Sequence, residues 1–250
     1  MRIIAYGGGV NSTALIIMCV QMRIEIDYIF FADTGAEKPH TYSFLRLFDK
    51  WLIENGMPSI NIVKSKITLE QRCLEDRCFP SKVYGNSSCS HRFKIQPAAK
   101  FVNNLPMAKA IWAQGEKVIK FIGIDADEAH RASIQSDAKY NYEYPLVEWG
   151  TGREDCLEVI KKQGLPDPGK SACFFCPSSK LREIRLLKQQ YPALAERARE
   201  IERVAIPGLT STKIIGLGRY FSWTNVWEQE EMFEGEYSQH CIEICDSCYD

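Results

Sequence analysis

An α/β fold with an open parallel sheet flanked by helices, followed by a cysteine-rich, mainly helical C-terminal part, is the architecture the sequence predicts. Three observations carry it. Short runs rich in β-branched and aromatic residues recur at 2–6, 26–31, 60–63 and 118–124. Helix-compatible stretches separate the first three, and a glycine cluster joins the first run to the first helix. Strand, glycine turn, helix, strand, helix, strand is the order that builds a parallel sheet with covered faces.

In chain order, Arg2–Tyr6 is a short apolar run that stops at Gly7-Gly8-Gly9. A helix is expected from Ser12 to about Met22. Ile26–Phe31 reads as a buried strand closed by Asp33-Thr34-Gly35. Thr41–Glu54 is amphipathic and ends at Asn55-Gly56, a helix stop. Ile60–Val63 and Val118–Ile124 supply the third and fourth strands. Beyond Glu148 the chain is broken by Gly150, Gly152, Gly164, Pro166, Pro168 and Gly169, and helices are expected over Ser178–Gln190 and Ala193–Val204. This divides the chain into a core of 1–148 and a cysteine-rich region of 149–250. No internal repeat or low-complexity tract interrupts it.

Composition narrows the function classes. A 45% hydrophobic, 25% charged chain of 250 residues can bury a sizeable core and is not disordered, collagenous or coiled-coil. The 31 basic residues balance 32 acidic ones, which argues against nucleic-acid binding through bulk charge and leaves a local basic groove open. No segment approaches the roughly 20 apolar residues of a membrane helix, and the N-terminus does not read as a secretory signal. A cytoplasmic protein, free of the membrane and with reduced thiols, is expected. There, ten cysteines point to metal or sulfur chemistry more than to disulfides.

Gly7-Gly8-Gly9-Val10-Asn11-Ser12-Thr13 sits where a strand turns into a helix. Glycines let backbone N–H groups approach an anion, the helix end adds partial positive charge, and the Ser12 and Thr13 hydroxyls can donate to phosphate. A glycine turn with a serine cap has the same pattern. The G-x-x-x-x-G-K-[ST] and G-x-G-x-x-G fingerprints are both absent.

Asp33 falls at a strand end, where an open parallel sheet places its ligand crevice. It can serve a nucleotide's Mg²⁺, or it can cap a helix together with Thr34. Glu37 can complement the dipole of the following helix. Asp127 and Glu128 fit a solvated first helical turn, while Arg131 suits either a phosphate contact or a surface ion pair. Arg92 and Lys94 can neutralise a pyrophosphate. Lys180, Arg182, Arg185 and Lys188 follow helical spacing, either as a solvated face or as a nucleic-acid contact. Cys173-Phe174-Phe175-Cys176 has the spacing of a metal knuckle, with Cys156 seventeen residues earlier. Cys89 or one of Cys241, Cys245 and Cys248 can supply a fourth ligand, for Zn²⁺ or an iron–sulfur cluster. The alternative is buried free thiols without metal, the better account of Cys19.

Several segments together resemble one superfamily. Tyr6–Thr13 resembles the PP-loop of the adenine nucleotide alpha-hydrolases. Phe30–Glu37 is similar to the second signature of the phosphoadenosine phosphosulfate (PAPS) reductase branch. Gly123–Arg131 is similar to its third motif, and Tyr144–Trp149 to the Pro-Leu-x-x-Trp segment that follows. Cys89–Pro97 resembles the Cys…Lys-x-x-Pro block. The resemblance spans residues 3 to about 177 and implies a HUP-type fold that splits ATP, or a related adenylate, at the α-phosphate. It implies ATP and Mg²⁺ at Gly7, Gly8, Gly9, Asn11, Ser12, Thr13, Asp33 and Gly123, with Asp33, Arg131 and Lys94 in catalysis. Two positions depart from the pattern. Gly7 stands for a serine, and Asn11 for an aspartate, which puts a metal role for position 11 in doubt.

The PAPS reductases' C-terminal Glu-Cys-Gly-x-His motif is missing, which argues against sulfate reduction. The resemblance then favours the ATP pyrophosphatases of DNA phosphorothioation, fed by a cysteine desulfurase and acting on DNA through partner proteins, as a possible homodimer. A tRNA-thiolation enzyme acting on tRNA, a rearranged PAPS reductase, and a nucleotide-binding regulatory module without turnover are the alternatives.

Overall fold

The computed structural model of the chain describes residues 1–232; Cys241, Cys245 and Cys248 lie outside the described residues. The chain forms two compact units, each discontinuous in sequence: Met1–Thr68 with Ser90–Cys173, and Leu69–Cys89 with the segment from Phe174 onward.

The first unit is built on strands β1 (Arg2–Tyr6), β2 (Tyr28–Asp33), β3 (Ile60–Lys64), β4 (Val118–Ile122) and β5 (Tyr140–Glu143). They form one sheet in the order β3-β2-β1-β4-β5, every pair parallel. Alternation along each strand sends neighbouring side chains to opposite faces. Ile4, Ile29, Phe31 and Phe121 face one core with α1 (Val10–Gln21), α2 (Pro39–Glu54) and α8 (Arg153–Lys162). Ile3, Phe30, Val63 and Val118 face the other with α5 (Gln96–Asn104) and α6 (Pro106–Ala113). Helices therefore cover both faces, as expected of an all-parallel sheet. Helix α2 buries Thr41, Phe44, Leu45, Phe48 and Leu52 at helical spacing. The short α7 (Pro145–Glu148) seats Leu146 in the α1 core.

Two expectations shift. β2 begins two residues late because Asp27 is tied to Arg2 outside the ladder: its N–H donates to the Arg2 carbonyl and its Oδ2 accepts the Arg2 N–H. The boundary expected at 148 is not where the units part. Cys156 and Ile160 of α8 are buried in the α1 core, which draws the chain up to Cys173 into the first unit, while 69–89 leaves it.

The second unit contains α3 (Leu69–Glu75), a 3₁₀ turn at Ser81–Tyr84, α9 (Leu181–Gln190) and α10 (Pro192–Ala205); the three-residue α4 (Ser88–Ser90) straddles its boundary. Helix α10 packs on α3 and α9, and Phe174, Phe175, Ile184, Ile201, Trp223 and Trp227 are buried. The Glu202 side chain of α10 organises the segment that follows. It is 1% exposed and accepts hydrogen bonds from the Leu217, Trp223 and Thr224 N–H groups and the Ser222 and Thr224 hydroxyls, at 2.6–2.9 Å. Among the described residues, no helix is long and apolar enough to cross a membrane.

Candidate functional site

The strand order reverses direction at β1: β2 and β3 lie on one side of it, β4 and β5 on the other. Such a switch point opens a crevice beyond the carboxyl ends of the strands. Three segments end there: Gly7–Gly9 after β1, Asp33–Glu37 after β2, and Gly123–Asp125 after β4.

The turn after β1 owes its shape to its own side chains. Gly8 has φ +73°, and a Cβ on it would stand 3.1 Å from the Phe31 ring and 3.4 Å from Thr41 Cγ2. The Ser12 hydroxyl accepts from Gly7 N–H at 3.1 Å and donates to the Gly9 carbonyl at 3.2 Å. Thr13 is fully buried; its hydroxyl donates to the Gly9 carbonyl and shares a hydrogen bond with the Tyr6 hydroxyl. Both hydroxyls, expected to serve phosphate, brace the turn in this structure, since buried hydroxyls take hydrogen-bond partners within reach. A Cβ on Gly9 would meet only ordinary contacts, 3.8 Å from the Gly169 carbonyl oxygen and 3.9 Å from Ser171.

Gly123 takes part as a close-approach residue. A Cβ there would lie 2.8 Å from Ser12 Cα and 2.9 Å from Ser12 N, so only glycine lets the end of β4 touch the first turn of α1. Next to it, Asn11 links three segments. Its Nδ2 donates to Asp125 Oδ2 and its Oδ1 accepts from Arg153 Nη1, both at 2.8 Å. Asp125 is 2% exposed and also accepts the Glu128 N–H. Asp127 accepts the Arg153 N–H at 2.8 Å and thereby caps α8, so it is not simply a solvated residue. Arg131 pairs with Glu128 on the exposed face of the Ala126–Arg131 turn.

Asp33 ends β2. Its Oδ1 accepts from the Gly35 N–H at 2.8 Å and the Tyr42 hydroxyl at 2.7 Å. Burial, reinforced by Asp33, pushes the Tyr42 phenol well above its usual value, so it stays a donor. Glu37 does not complement the α2 dipole as expected. It is 3% exposed, bridges backbone to Cys173, and gathers Thr34 and Ser171 hydroxyls at 3.4 Å and Lys94 Nζ at 3.5 Å. Lys94 thus faces a buried carboxylate at the crevice, which compensates a charge that would be costly alone. His40, at the start of α2, is held below the usual imidazole value by burial and by Lys38. Arg153, His40 and Ser171 escaped the sequence reading. The signal for Arg153 was Asn11 itself, because an amide buries well only with both a donor and an acceptor partner.

The cysteines expected as ligands differ in their surroundings. Cys156 is fully buried in the α1–α8 core, and burial pushes its thiol up to about 12. Cys173 bonds Thr34 Oγ1 at 3.2 Å, and Cys89 donates its N–H to Ser81 Oγ. Among the described residues, no group of three or more His, Cys, Asp or Glu side chains is arranged to hold a metal ion. Cys156 and Cys173 belong to the first unit, Cys89 and Cys176 to the second, and Cys156 packs as a core residue. On α9, Arg185 pairs with Glu230 and Lys188 with Glu231, a self-neutralised surface.

Residues 2–162 match the phosphoadenosine phosphosulfate reductase domain. Among solved structures, the chain is similar to the U34-tRNA thiolase NcsA from Methanococcus maripaludis with its [4Fe-4S] cluster, at 16% identity and a TM-score of 0.46, covering 86% of this chain and 75% of that one. No curated protein matches.

Proposed function

Because the chain belongs to the phosphoadenosine phosphosulfate reductase domain family, we propose that it splits ATP at the α-phosphate, releasing pyrophosphate, to activate an acceptor for sulfur incorporation. The observation that carries this reading is the glycine turn at the switch point, with Gly8 in left-handed backbone and Gly123 pressed against Ser12. An anion set there meets backbone N–H groups and the start of the twelve-residue helix α1. Gly9 would take the phosphate's closest approach, its Cβ position meeting only ordinary contacts. The Asn11–Asp125–Arg153 chain locks the turn and brings a guanidinium to its edge.

Asp33 suits a magnesium ion that arrives with the nucleotide, since such ions need one or two carboxylates and otherwise phosphate oxygens and water. The ion would supply charge neutralisation at the α-phosphate. Lys94 would add positive charge as pyrophosphate leaves, and the exposed Arg131 would reach the acceptor side. DNA phosphorothioation, with a desulfurase as sulfur donor, is the finer reading, and it rests on the second motif at Phe30–Glu37. Thiolation of tRNA uses the same activation.

The test is product analysis with ATP and Mg²⁺. AMP and pyrophosphate are expected; ADP and phosphate, sulfite from PAPS, or nucleotide binding without turnover would reject the reading. Asp33→Asn keeps an oxygen for Gly35 and Tyr42 and removes only the charge. Turnover should fall at least about tenfold, about 1.4 kcal/mol of barrier, with an unchanged thermal transition.

A further inference from the structure

The second unit carries a surface that the nucleotide site does not use. Several of its arginines are neutralised where they stand: Arg185 by Glu230, Arg197 by Glu70 and Arg203 by Glu200. Arg77 and Arg219 differ. Both are exposed, and among the described residues neither makes an ion pair within the unit. Both hold left-handed backbone, φ 48° and 66°, a conformation that side chains other than glycine rarely adopt.

The two arginines bear on one stretch of chain, 77–85. Arg219 lies against its end, with Nη1 3.4 Å from where a Gly85 Cβ would stand. The same guanidinium lies over the Tyr220 ring, 5.1 Å from its centroid, and Tyr220 is 66% exposed. Tyr84, just before Gly85, is exposed too, and its hydroxyl accepts the Phe79 N–H. Arg77 begins the stretch beside a cavity of about 380 Å³ that it lines with Arg203, Val204, Pro207 and Gly208. The Arg219–Tyr220 loop is held in place from behind, since Glu202 binds the N–H groups on both sides of it, at Leu217 and Trp223.

Unpaired guanidinium groups call for anions, and an exposed tyrosine ring braced by an arginine calls for a flat partner. A polymer that offers both at short intervals is a nucleic acid with unpaired bases. An acidic peptide would use the charges and leave the ring idle, and a duplex keeps its base faces stacked inside. We propose that this face of the second unit binds single-stranded nucleic acid, with Tyr220 stacking on a base and Arg77 and Arg219 contacting phosphates. The inference names the acceptor class for the proposed function and rests on that reading for its chemistry, while the binding itself is measured separately.

The experiment uses the full chain and fluorescence anisotropy with a labelled 20-nucleotide RNA, the matching DNA strand and the DNA duplex. Arg77→Gly and Arg219→Gly remove the cations and relieve the left-handed strain, so loss of binding cannot be blamed on folding. Wild type should prefer single strands to duplex. Each glycine variant should weaken binding several-fold and lower the salt slope by about 0.7, one phosphate contact on a single strand. Tyr220→Ala should cost about fivefold or more. Unchanged affinity and slope in all three variants, or preference for duplex, would overturn the proposal. ATP turnover is followed in the same preparations. Strand binding without turnover removes the proposed reaction and keeps this surface; turnover without strand binding does the reverse.

Discussion

An aspartate at position 11 would bring a second carboxylate to the spot where the Asn11 amide now donates to Asp125. Asp125 is buried, so the two charges would repel across a poorly solvated gap, with Arg153 offsetting only part. Asn11→Asp should therefore lower stability by about 1–3 kcal/mol at pH 7. The penalty should shrink as the pH falls and one carboxyl gains a proton to donate; urea titrations at pH 5 and pH 7 check both. The glycines give a paired prediction. Gly123→Ala forces a methyl against Ser12 backbone and should cost about 1–3 kcal/mol through displaced packing. Gly9→Ala meets only ordinary contacts and should fold normally while weakening ATP binding, since its Cβ would stand in the path of a phosphate approaching the turn. Calorimetry of both variants with and without ATP separates the two effects.

Among the elements, α10 has the least replaceable residue. Glu202 satisfies five donors from Leu217 to Thr224, so its loss leaves those N–H and hydroxyl groups without their acceptor. Glu202→Ala should destabilise the second unit by about 3 kcal/mol or more, since each orphaned donor costs about 1–3. Hydrogen exchange at Leu217, Trp223 and Thr224 should rise first. Helix α8 shows the opposite logic. It is held by Cys156 and Ile160 in an apolar contact with α1, and its N-terminus by Asp127. The chain after the third motif thereby returns to the core that the motif serves.

At the scale of the whole molecule, alkaline pH is the condition that loosens the fold. Cys19 and Cys156 are fully buried, and burial pushes both thiols up to about 12. The unfolded chain loses those protons near pH 9 while the folded chain keeps them, so unfolding becomes easier as pH rises from about 9 to 12. Each thiol should contribute up to about 1.4 kcal/mol per pH unit in that window. Below pH 9 both states are protonated and the contribution is fully present. Comparing pH-dependent unfolding of wild type with Cys19→Ala and Cys156→Ala checks this, since each variant should flatten the alkaline limb.

The parallel sheet was legible in the sequence because Arg2–Tyr6, Tyr28–Asp33, Ile60–Lys64 and Val118–Ile122 are strands that advertise themselves by local composition, and glycines mark the turn after the first. β5 was missed: Tyr140–Glu143 is a four-residue edge whose pairing with β4, and not its polarity, makes it a strand. The glycine turn after β1 was equally local, so its place between strand and helix could be read from the sequence. What the side chains do within it could not. Ser12 and Thr13 turn inward because Gly9 offers a carbonyl at hydrogen-bond distance. Asn11 finds Asp125 and Arg153 from 114 and 142 residues away. Glu37 is buried because Lys94, Thr34 and Ser171 close around it. The same holds for Cys156, whose place in the α1 core spacing along the chain does not reveal. Periodicity and turn chemistry are properties of neighbours along the chain, and they set the sheet and its loop. Burial, pairing and charge compensation depend on groups distant in sequence, and only the tertiary structure decides those.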